Sequence, residues 1–207
     1  VFFFCCMCYG WNFVIANIDY FATLERFRKH QNGQLGQLLL YLQTMSAYKI
    51  RPARPEDMGA VLNLIRDLAV FERQPDAVEI TVGDLVRDGF GPVPRFQCYV
   101  AEEEGKVLGM ALCYPRYSTW KGMVIHLEDL VVTKAARGRG IGGALLTAVI
   151  RYAKDRGARR ASWEVLDWND PAIRFYDARG AHILTDWNLV QLDTRGIDRY
   201  LERYEDL

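Results

Sequence analysis

The chain has 207 residues, and its 26 Lys and Arg residues balance 26 Asp and Glu residues, so the formal net charge at pH 7 is zero. Half of the residues are hydrophobic and 25% are charged, which excludes a disordered, collagen-like or coiled-coil protein. The length indicates one domain, with or without an extension. A neutral chain has no overall positive field to attract nucleic acid, so we expect no nucleic-acid partner.

The chain begins with an uncharged, mostly apolar run over residues 1–18, close to the roughly 20 residues that a membrane span needs. Polar residues and a glycine interrupt the run, and it lacks the basic segment and cleavage site of a signal peptide. Membrane contact of this run is therefore disfavoured, although an anchor or a structural role stays open. We interpret residues 1–44 as a non-native or poorly ordered extension, and residues 45–207, starting at Met45, as the domain. We expect a cytoplasmic protein.

Hydrophobic periodicity and turn residues divide the domain into strands and helices. An amphipathic helix follows Pro55, because proline suits the first helical position. A hairpin with Gly105 in its turn comes next, and strands and helices then alternate. The predicted strands cover 48–52, 96–101, 107–114, 124–132, 160–166 and part of 182–192, and the predicted helices cover 55–69, 81–88, 140–156 and 171–178. This order predicts an α/β (α+β) fold with a central mixed, mostly antiparallel sheet flanked by helices.

Neither a disulfide nor a metal site is expected in the domain. Cys98 and Cys113 lie in apolar strand-like runs and are typical of buried thiols. His30, His126 and His182 are scattered along the chain, and no Cys-x-x-Cys motif occurs within residues 45–207. The spacing of metal ligands is therefore missing.

The strongest chemical signal is a glycine-rich segment between the strand at 124–132 and the next helix. Closely spaced glycines let backbone N–H groups point into one cavity, and a helix start adds partial positive charge, so the segment can hold a pyrophosphate. Two arginines can add charge-assisted hydrogen bonds. Three interpretations stay open: an acetyl-CoA loop (Arg-x-x-Gly-x-Gly), a dinucleotide loop (Gly-x-Gly-x-x-Gly), or a glycine-rich helix start without a ligand. The segment consists of Arg137, Gly138, Arg139, Gly140, Ile141, Gly142 and Gly143.

The chain from about residue 48 to residue 193 resembles the GNAT N-acetyltransferase superfamily, and within it the diamine (spermidine/spermine) acetyltransferase family. The segments 117–122 and 165–169 are more similar to the thialysine N-epsilon-acetyltransferase branch than to the polyamine branch. Residues 1–44 resemble nothing in the family, which agrees with a start at Met45. The segments that carry the resemblance are 50–53, 88–91, 127–130, 137–142, 168–176 and 179–181.

The resemblance implies an enzyme that uses acetyl-CoA as co-substrate, without a metal, to acetylate a primary amine of a small molecule. It also implies a homodimer. Asn169 corresponds to a CoA-contacting residue, but it is equally suited to be the N-cap of the helix that follows. The positions that correspond to CoA contacts are Leu130, Val131, Val132, Arg137, Gly138, Arg139, Gly140, Ile141, Gly142, Gly143, Asn169, Pro171, Ala172 and Tyr176.

The chemistry of amine acetylation requires groups that accept and donate protons. A primary amine with a pKa of about 10.4 arrives protonated, whereas a leaving thiolate, whose thiol has a pKa of about 8.5, needs a proton. A phenol with a pKa of about 10 can supply that proton if it is held close. The resemblance assigns this general-acid role to Tyr176. Glu128 is the candidate base, directly or through water, or alternatively a charge clamp for a cationic substrate.

The acceptor is expected to be a small cation. Neighbouring residues of a regular strand face opposite ways, so Glu128 and Asp129 can serve one site only across a β-bulge, which the resemblance implies. Ser118 stands where the polyamine branch has an acid, which favours a shorter amine: thialysine, a lysine-like amino acid or a short diamine. Trp120 is a candidate pocket wall or a core aromatic residue. The candidate substrate-binding residues are Phe71, Glu72, Glu128, Asp129 and Trp120.

Two other functions stay open. A protein with this fold could bind acetyl-CoA as a sensor without turnover, although the presence of both Tyr176 and Glu128 argues against it. A nicotinamide-dependent enzyme could use the glycine-rich segment. That alternative is disfavoured because a dinucleotide loop should follow the first strand directly, whereas a hairpin precedes this one.

Overall fold

The computed structural model describes residues 48–205, so the predictions made for residues 1–44 and for a start at Met45 lie outside the described residues. The strands are β1 (Lys49–Pro52), β2 (Gln97–Glu103), β3 (Lys106–Ser118), β4 (Gly122–Val132) and β5 (Ala161–Ser162). The helices are α1 (Met58–Phe71), α2 (Val82–Phe90), α3 (Ile141–Asp155), α4 (Asp170–Asp177) and α5 (Thr194–Tyr204). Within 48–205, no helix has the length and apolar character needed to cross a membrane.

The chain divides into two compact units, the first ending at Trp163 and the second beginning at Glu164. The first unit contains the sheet, in which the strands follow one another in chain order from β1 to β5. The first four strands are antiparallel, and β5 runs parallel to β4 after the chain has crossed over through α3. The predicted mixed, mostly antiparallel sheet with flanking helices is therefore confirmed.

Helices cover both faces of the sheet because alternate strand residues are apolar on each side. The α1 face, as we call the side covered by α1 and α2, has a core formed by Met58, Val61, Leu62, Leu64, Leu85, Cys98, Val100, Met110, Leu112 and Val131. The opposite face packs against α3. There the Tyr99 ring lies 6.4 Å from the Tyr152 ring, and a Cβ on Gly109 would lie 3.3 Å from Leu145 Cδ1. Gly109 therefore lets α3 approach the sheet closely.

A β-bulge interrupts the pairing of β3 with β4. Cys113 is opposite Leu127, but the residue before it on β3, Leu112, is opposite Asp129. Glu128 is therefore the extra residue of the bulge and has no partner on β3. Such a bulge changes the direction of the side chains that follow it and increases the local twist. The bulge expected at this position is confirmed.

The strand predicted at 160–166 is much shorter in the structure. It consists of Ala161 and Ser162, which pair with Ile125 and His126 of β4. Beyond His126, β4 has no strand partner on this side among residues 48–205. The sequence continues in an apolar pattern, but a strand forms only where a neighbouring strand completes the hydrogen-bonded ladder. The prediction that this strand continues to residue 166 was therefore wrong.

The second unit contains α4 and α5 and, within its described residues, no strand. The prediction of one or two strands within 182–192 was therefore wrong. Leu184, Leu189 and Val190 have the alternation that suggested a strand, but their side chains are exposed and the segment pairs with no described strand. The sequence reading also missed α5. This helix begins at an N-cap, Asp193, whose carboxylate accepts the Gly196 N–H at 2.6 Å.

Candidate active site

The carboxylate of Glu128 is held at the bulge by two aromatic side chains. The Tyr114 hydroxyl donates a hydrogen bond to Oε2 of Glu128 over 2.9 Å, and Nε2 of His126 lies 3.5 Å from the same oxygen. Tyr114 and His126 are direct partners across β3 and β4, so their ring centroids are only 5.2 Å apart. Tyr114 also packs against the core of the α1 face. The Glu128 carboxylate therefore lies on that face, about half exposed.

Two further carboxylates complete an acidic cluster, which we define as Glu72, Glu128 and Asp129. Burial, and then the charges of Glu128 and Glu72, raise the pKa of Asp129 to about 6. Glu72 directly follows the last residue of α1, and burial raises its pKa as well. The charges of Glu128 and Glu72 therefore both act on Asp129. The bulge is the reason that the adjacent residues Glu128 and Asp129 both belong to the cluster.

No Lys or Arg of residues 48–205 pairs with the acidic cluster, since none lies within ion-pair distance of its three carboxylates. Unpaired carboxylates concentrated in one place attract a cation even when the whole chain is neutral. A carboxyl whose pKa is raised toward neutrality is also suited to accept a proton. The cluster can therefore bind an ammonium group and receive its proton.

The glycine-rich segment forms the start of α3. Gly140 is the N-cap of this helix with a φ of 80°, and Gly138 has a φ of 78°. Both angles lie in the left-handed region, where residues with a Cβ are strained. A Cβ on Gly138 would meet no atom within 4 Å, so the segment faces open space. Free N–H groups at a helix start, next to such a turn, fit a pyrophosphate.

The two arginines of this segment already have partners. Nε of Arg137 donates to the backbone carbonyl of Val132 at 3.2 Å. Arg139 forms a two-pronged ion pair with Glu103 of β2, with its closest N···O distance at 2.6 Å. Arg139 would have to leave Glu103 in order to bind a phosphate. Its predicted contact with the cofactor therefore requires an exchange of partners.

The far end of β4 exposes backbone groups on the side away from β3. The Thr133 N–H donates to the Leu108 carbonyl at 2.8 Å, which shows that Thr133 faces β3. Residues alternate along an antiparallel ladder, so Val132 and Leu130 direct their N–H and C=O groups to the opposite side. No described strand pairs there. The Val132 carbonyl already accepts a hydrogen bond from Arg137, which leaves the Leu130 groups and the Val132 N–H to bind an extended, amide-containing chain in the manner of an added strand.

The remaining predicted cofactor positions on the glycine-rich segment and β4 have ordinary structural roles. Val131 belongs to the core of the α1 face, and Ile141 is the buried first residue of α3. Gly142 and Gly143 follow in the first turn of that helix. A ligand would therefore meet the backbone of these four residues and no charged side chain.

Three predicted residues of the second unit lie at or near the start of α4, and a fourth lies in its last turn. The Asn169 side chain accepts the Ala172 N–H at 3.3 Å, so Asn169 is the N-cap, and Pro171 occupies the first turn. Tyr176 is buried, its ring packs edge-on against Phe175 at 5.1 Å, and burial raises its pKa. A raised pKa keeps the phenol protonated at neutral pH, as a proton donor requires.

The structure brings Phe71 and Glu72 together at the end of α1 but does not bring Trp120 to the acidic cluster. Trp120 is 81% exposed in the turn between β3 and β4. Glu128 lies about 20 Å further along β4. The sequence reading missed Tyr114 and His126 as contacts of Glu128. Only the pairing of β3 with β4 shows their proximity, and the alternation of His126 with Glu128 along β4 was the one available signal.

Within residues 48–205, no group of three or more His, Cys, Asp or Glu side chains is arranged to hold a metal ion. Cys98 and Cys113 are buried free thiols, and burial raises the pKa of each to about 12. Both therefore remain uncharged near neutral pH.

Comparison with known proteins places the chain in a family. The sequence model of the acetyltransferase (GNAT) family matches residues 61–181. The chain is 42% identical over 150 residues to the thialysine N-epsilon-acetyltransferase of Bos taurus, covering 69% of this chain and 88% of that one. It is 37% identical over 160 residues to the spermidine/spermine N(1)-acetyltransferase-like protein 1 of Homo sapiens, covering 72% of this chain and 23% of that one.

A solved structure of an aminoglycoside N-acetyltransferase in complex with CoA is similar in fold. Its TM-score is 0.57 at 19% sequence identity, and the match covers 72% of this chain and 96% of that one. At this identity the likeness shows the fold alone. The chain therefore belongs to the GNAT acetyltransferase family, in its diamine acetyltransferase branch, and is an acyltransferase.

Proposed function

We propose that this enzyme transfers the acetyl group of acetyl-CoA to the primary amine of a small cationic molecule. The acceptor class is thialysine, a lysine-like amino acid or a short diamine. The observation that carries the proposal is the acidic cluster, which has no Lys or Arg partner among the described residues. Two of its members, Glu128 and Asp129, lie on the strand before the glycine-rich start of α3. The relatives named for thialysine and for spermidine and spermine support an amine acceptor.

The cofactor end of the site is supported by the backbone. The N–H groups at the start of α3 suit a pyrophosphate, and the open edge of β4 at Leu130 and Val132 suits the amide-containing arm of CoA. Arg137 and Arg139 would supply positive charge, the latter after leaving Glu103. Acetyl-CoA supplies the activated acetyl group. Alignment of that group with the amine accounts for much of the rate in such a transfer.

The proton balance assigns a role to each titratable group. The amine nitrogen forms a bond to the acetyl carbon as the carbon–sulfur bond breaks. Of the two protons that the ammonium loses, one passes to the acidic cluster or to water. Tyr176 donates its phenolic proton to the leaving sulfur, and the second ammonium proton, carried through water, replaces it. Glu128 binds the cation and, directly or through water, receives the first proton.

The number of carboxylates supports a short acceptor. A long polyamine carries several spaced ammonium groups and needs several spaced anions, whereas the acidic cluster is confined to the end of α1 and the bulge. Ser118 and the segment 73–75 offer no further acid. Assembly as a homodimer, a cytoplasmic location and a domain over residues 45–207 remain predictions. Light scattering on the purified chain measures the first of them.

Thiol release from acetyl-CoA tests the proposal on the 207-residue chain. The acceptors are thialysine, lysine, putrescine, spermidine, spermine and a short peptide. We expect turnover with a small amine, and comparable turnover of spermine would contradict the short-acceptor assignment. Tyr176→Phe should lower kcat by about 10²–10⁴-fold, because general acid catalysis contributes about that much. Tyr152→Phe, which also removes a partly buried hydroxyl, is the matched control and should retain activity.

The same assay separates the enzyme from a sensor. CoA binding by calorimetry without thiol release for any acceptor would favour a sensor that binds acetyl-CoA without turnover. Full activity of Tyr176→Phe, in contrast, would leave the transferase in place and remove the general-acid role of Tyr176.

A further inference from the structure

Two buried polar atoms next to the acidic cluster lack hydrogen-bond partners among the described residues. They are Nδ1 of His126 and Oγ of Ser162. The two residues are direct partners in the parallel pairing of β4 with β5, so their side chains leave the sheet on the same face. Buried polar groups are almost always paired, because leaving them unsatisfied is unfavourable. Two such atoms at neighbouring positions can both be satisfied by one bridging water molecule.

The contact with Glu128 favours a proton on Nε2 of His126. Nε2 lies 3.5 Å from Oε2 of Glu128, and the His126 side chain is only 8% exposed. A carboxylate oxygen accepts hydrogen bonds, so a hydrogen bond between the two groups needs a proton on Nε2. Nδ1 can then serve as an acceptor. A water molecule that bridges Nδ1 and the Ser162 hydroxyl would link Ser162, His126 and Glu128 in that order.

The two contacts of Glu128 fall on one oxygen. Tyr114 and His126 both approach Oε2, at 2.9 Å and 3.5 Å. In the described part of the chain, Oε1 has no hydrogen bond or ion pair from the protein. One oxygen is thus held by the protein, and the other is left for a ligand on the α1 face.

We propose that His126, supported by Ser162, is a positioning residue that holds the Glu128 carboxylate so that Oε1 faces the acceptor amine. This inference rests on the proposed function for the identity of the ligand. His126 acts through Glu128 and touches neither substrate. Its contribution should therefore appear in amine binding, whereas binding of acetyl-CoA should be unaffected.

Kinetics of variants of the full chain test this role. His126→Phe should raise KM for the amine about tenfold, as expected for the loss of one charge-assisted hydrogen bond, and leave KM for acetyl-CoA unchanged. His126→Gln, whose amide N–H can replace Nε2–H, should recover most of that loss. Ile125→Val alters the neighbouring buried position without a polar contact and is the control. An equal increase of KM for the amine in the Phe and Gln variants would overturn the proposal.

Double variants measure the coupling. Because His126 acts through Glu128, His126→Phe should add little to the effect of Glu128→Gln, and Ser162→Ala should have no effect once His126 is Phe. Independent, multiplying effects on KM for the amine would contradict a shared role.

A measurement without turnover separates this inference from the proposed function. The ¹⁵N shifts of His126 by NMR, assigned with the His126→Gln variant, should report a proton on Nε2 and none on Nδ1. Ser162→Ala should alter the Nδ1 shift. If the wild-type chain shows this tautomer but acetylates no amine, the proposed function fails and the positioning of Glu128 stands. If it acetylates amines but carries the proton on Nδ1, the proposed function stands and this inference fails.

Discussion

At the scale of single residues, Asp129 shows the conflict between stability and chemistry most clearly. Burial and the charges of Glu128 and Glu72 raise its pKa from 3.8 to about 6, so the folded state holds its proton more tightly than the unfolded chain. The free energy of unfolding therefore falls as the pH rises from about 4 to about 6 and stays lower above that range. The acidic cluster, arranged for a cation, makes the unliganded protein less stable near neutral pH.

Asp129→Asn should therefore raise the stability of the protein while lowering its activity. The uncharged amide avoids the unfavourable ionisation, so we expect the free energy of unfolding to rise by about 1–3 kcal/mol at pH 7.5. The gain should disappear near pH 4, where the wild-type carboxyl is protonated in the folded state. Urea denaturation across this pH range measures the difference. Asp67→Asn, at an exposed position on α1, is the control, and a pH-independent gain for Asp129→Asn would contradict the explanation.

At the scale of secondary-structure elements, the bulge in β4 and the start of α3 produce the two ends of the site. A regular strand would have directed Glu128 and Asp129 to opposite faces, and the extra residue brings both to the α1 face. The left-handed glycine at the start of α3 leaves helix N–H groups accessible. Both are backbone conformations that the surrounding sheet and helix support.

Two glycines at opposite ends of α3 allow the effect of backbone strain to be distinguished from an effect on cofactor binding. Gly140 before the helix and Gly157 after it have φ angles of 80° and 68°. Substitution of either by Ala should cost about 1 kcal/mol of stability, because both require the left-handed conformation. Only Gly140→Ala should also raise KM for acetyl-CoA, by about tenfold or more, because only it lies in the proposed cofactor segment. Similar KM values for the two variants would contradict that assignment.

At the scale of the whole molecule, the choice of cofactor can be tested without turnover. A ligand that binds only the folded state raises its stability by about 2.7 kcal/mol at 100 times its Kd. CoA should therefore raise the melting temperature of the full chain by several degrees. NAD at the same concentration should not, because the glycine-rich segment follows the fourth strand rather than the first. The reverse result would favour a dinucleotide enzyme.

Most of the first unit could be predicted from local patterns. The hairpin of β2 and β3, the amphipathic helices and the cap of α2 follow from periodicity and turn residues. The second unit was predicted less well. The strands expected within 182–192 are absent from the described structure, because alternation of apolar residues shows only that a segment could form a strand. Whether it does so depends on a neighbouring strand elsewhere in the fold.

By itself, the sequence determined the class of fold and the glycine-rich helix start, which depend on spacing between residues that are close along the chain. Its resemblance to a known family supplied the candidate roles of Glu128 and Tyr176. Only the tertiary structure decided that Tyr114 and His126 contact the same oxygen of Glu128. It also decided that Ser162 is the partner of His126 on β5 and that Arg139 forms an ion pair with Glu103. Such contacts join residues on different strands. The register of those strands is set by the balance of packing over the whole sheet, which no local pattern contains.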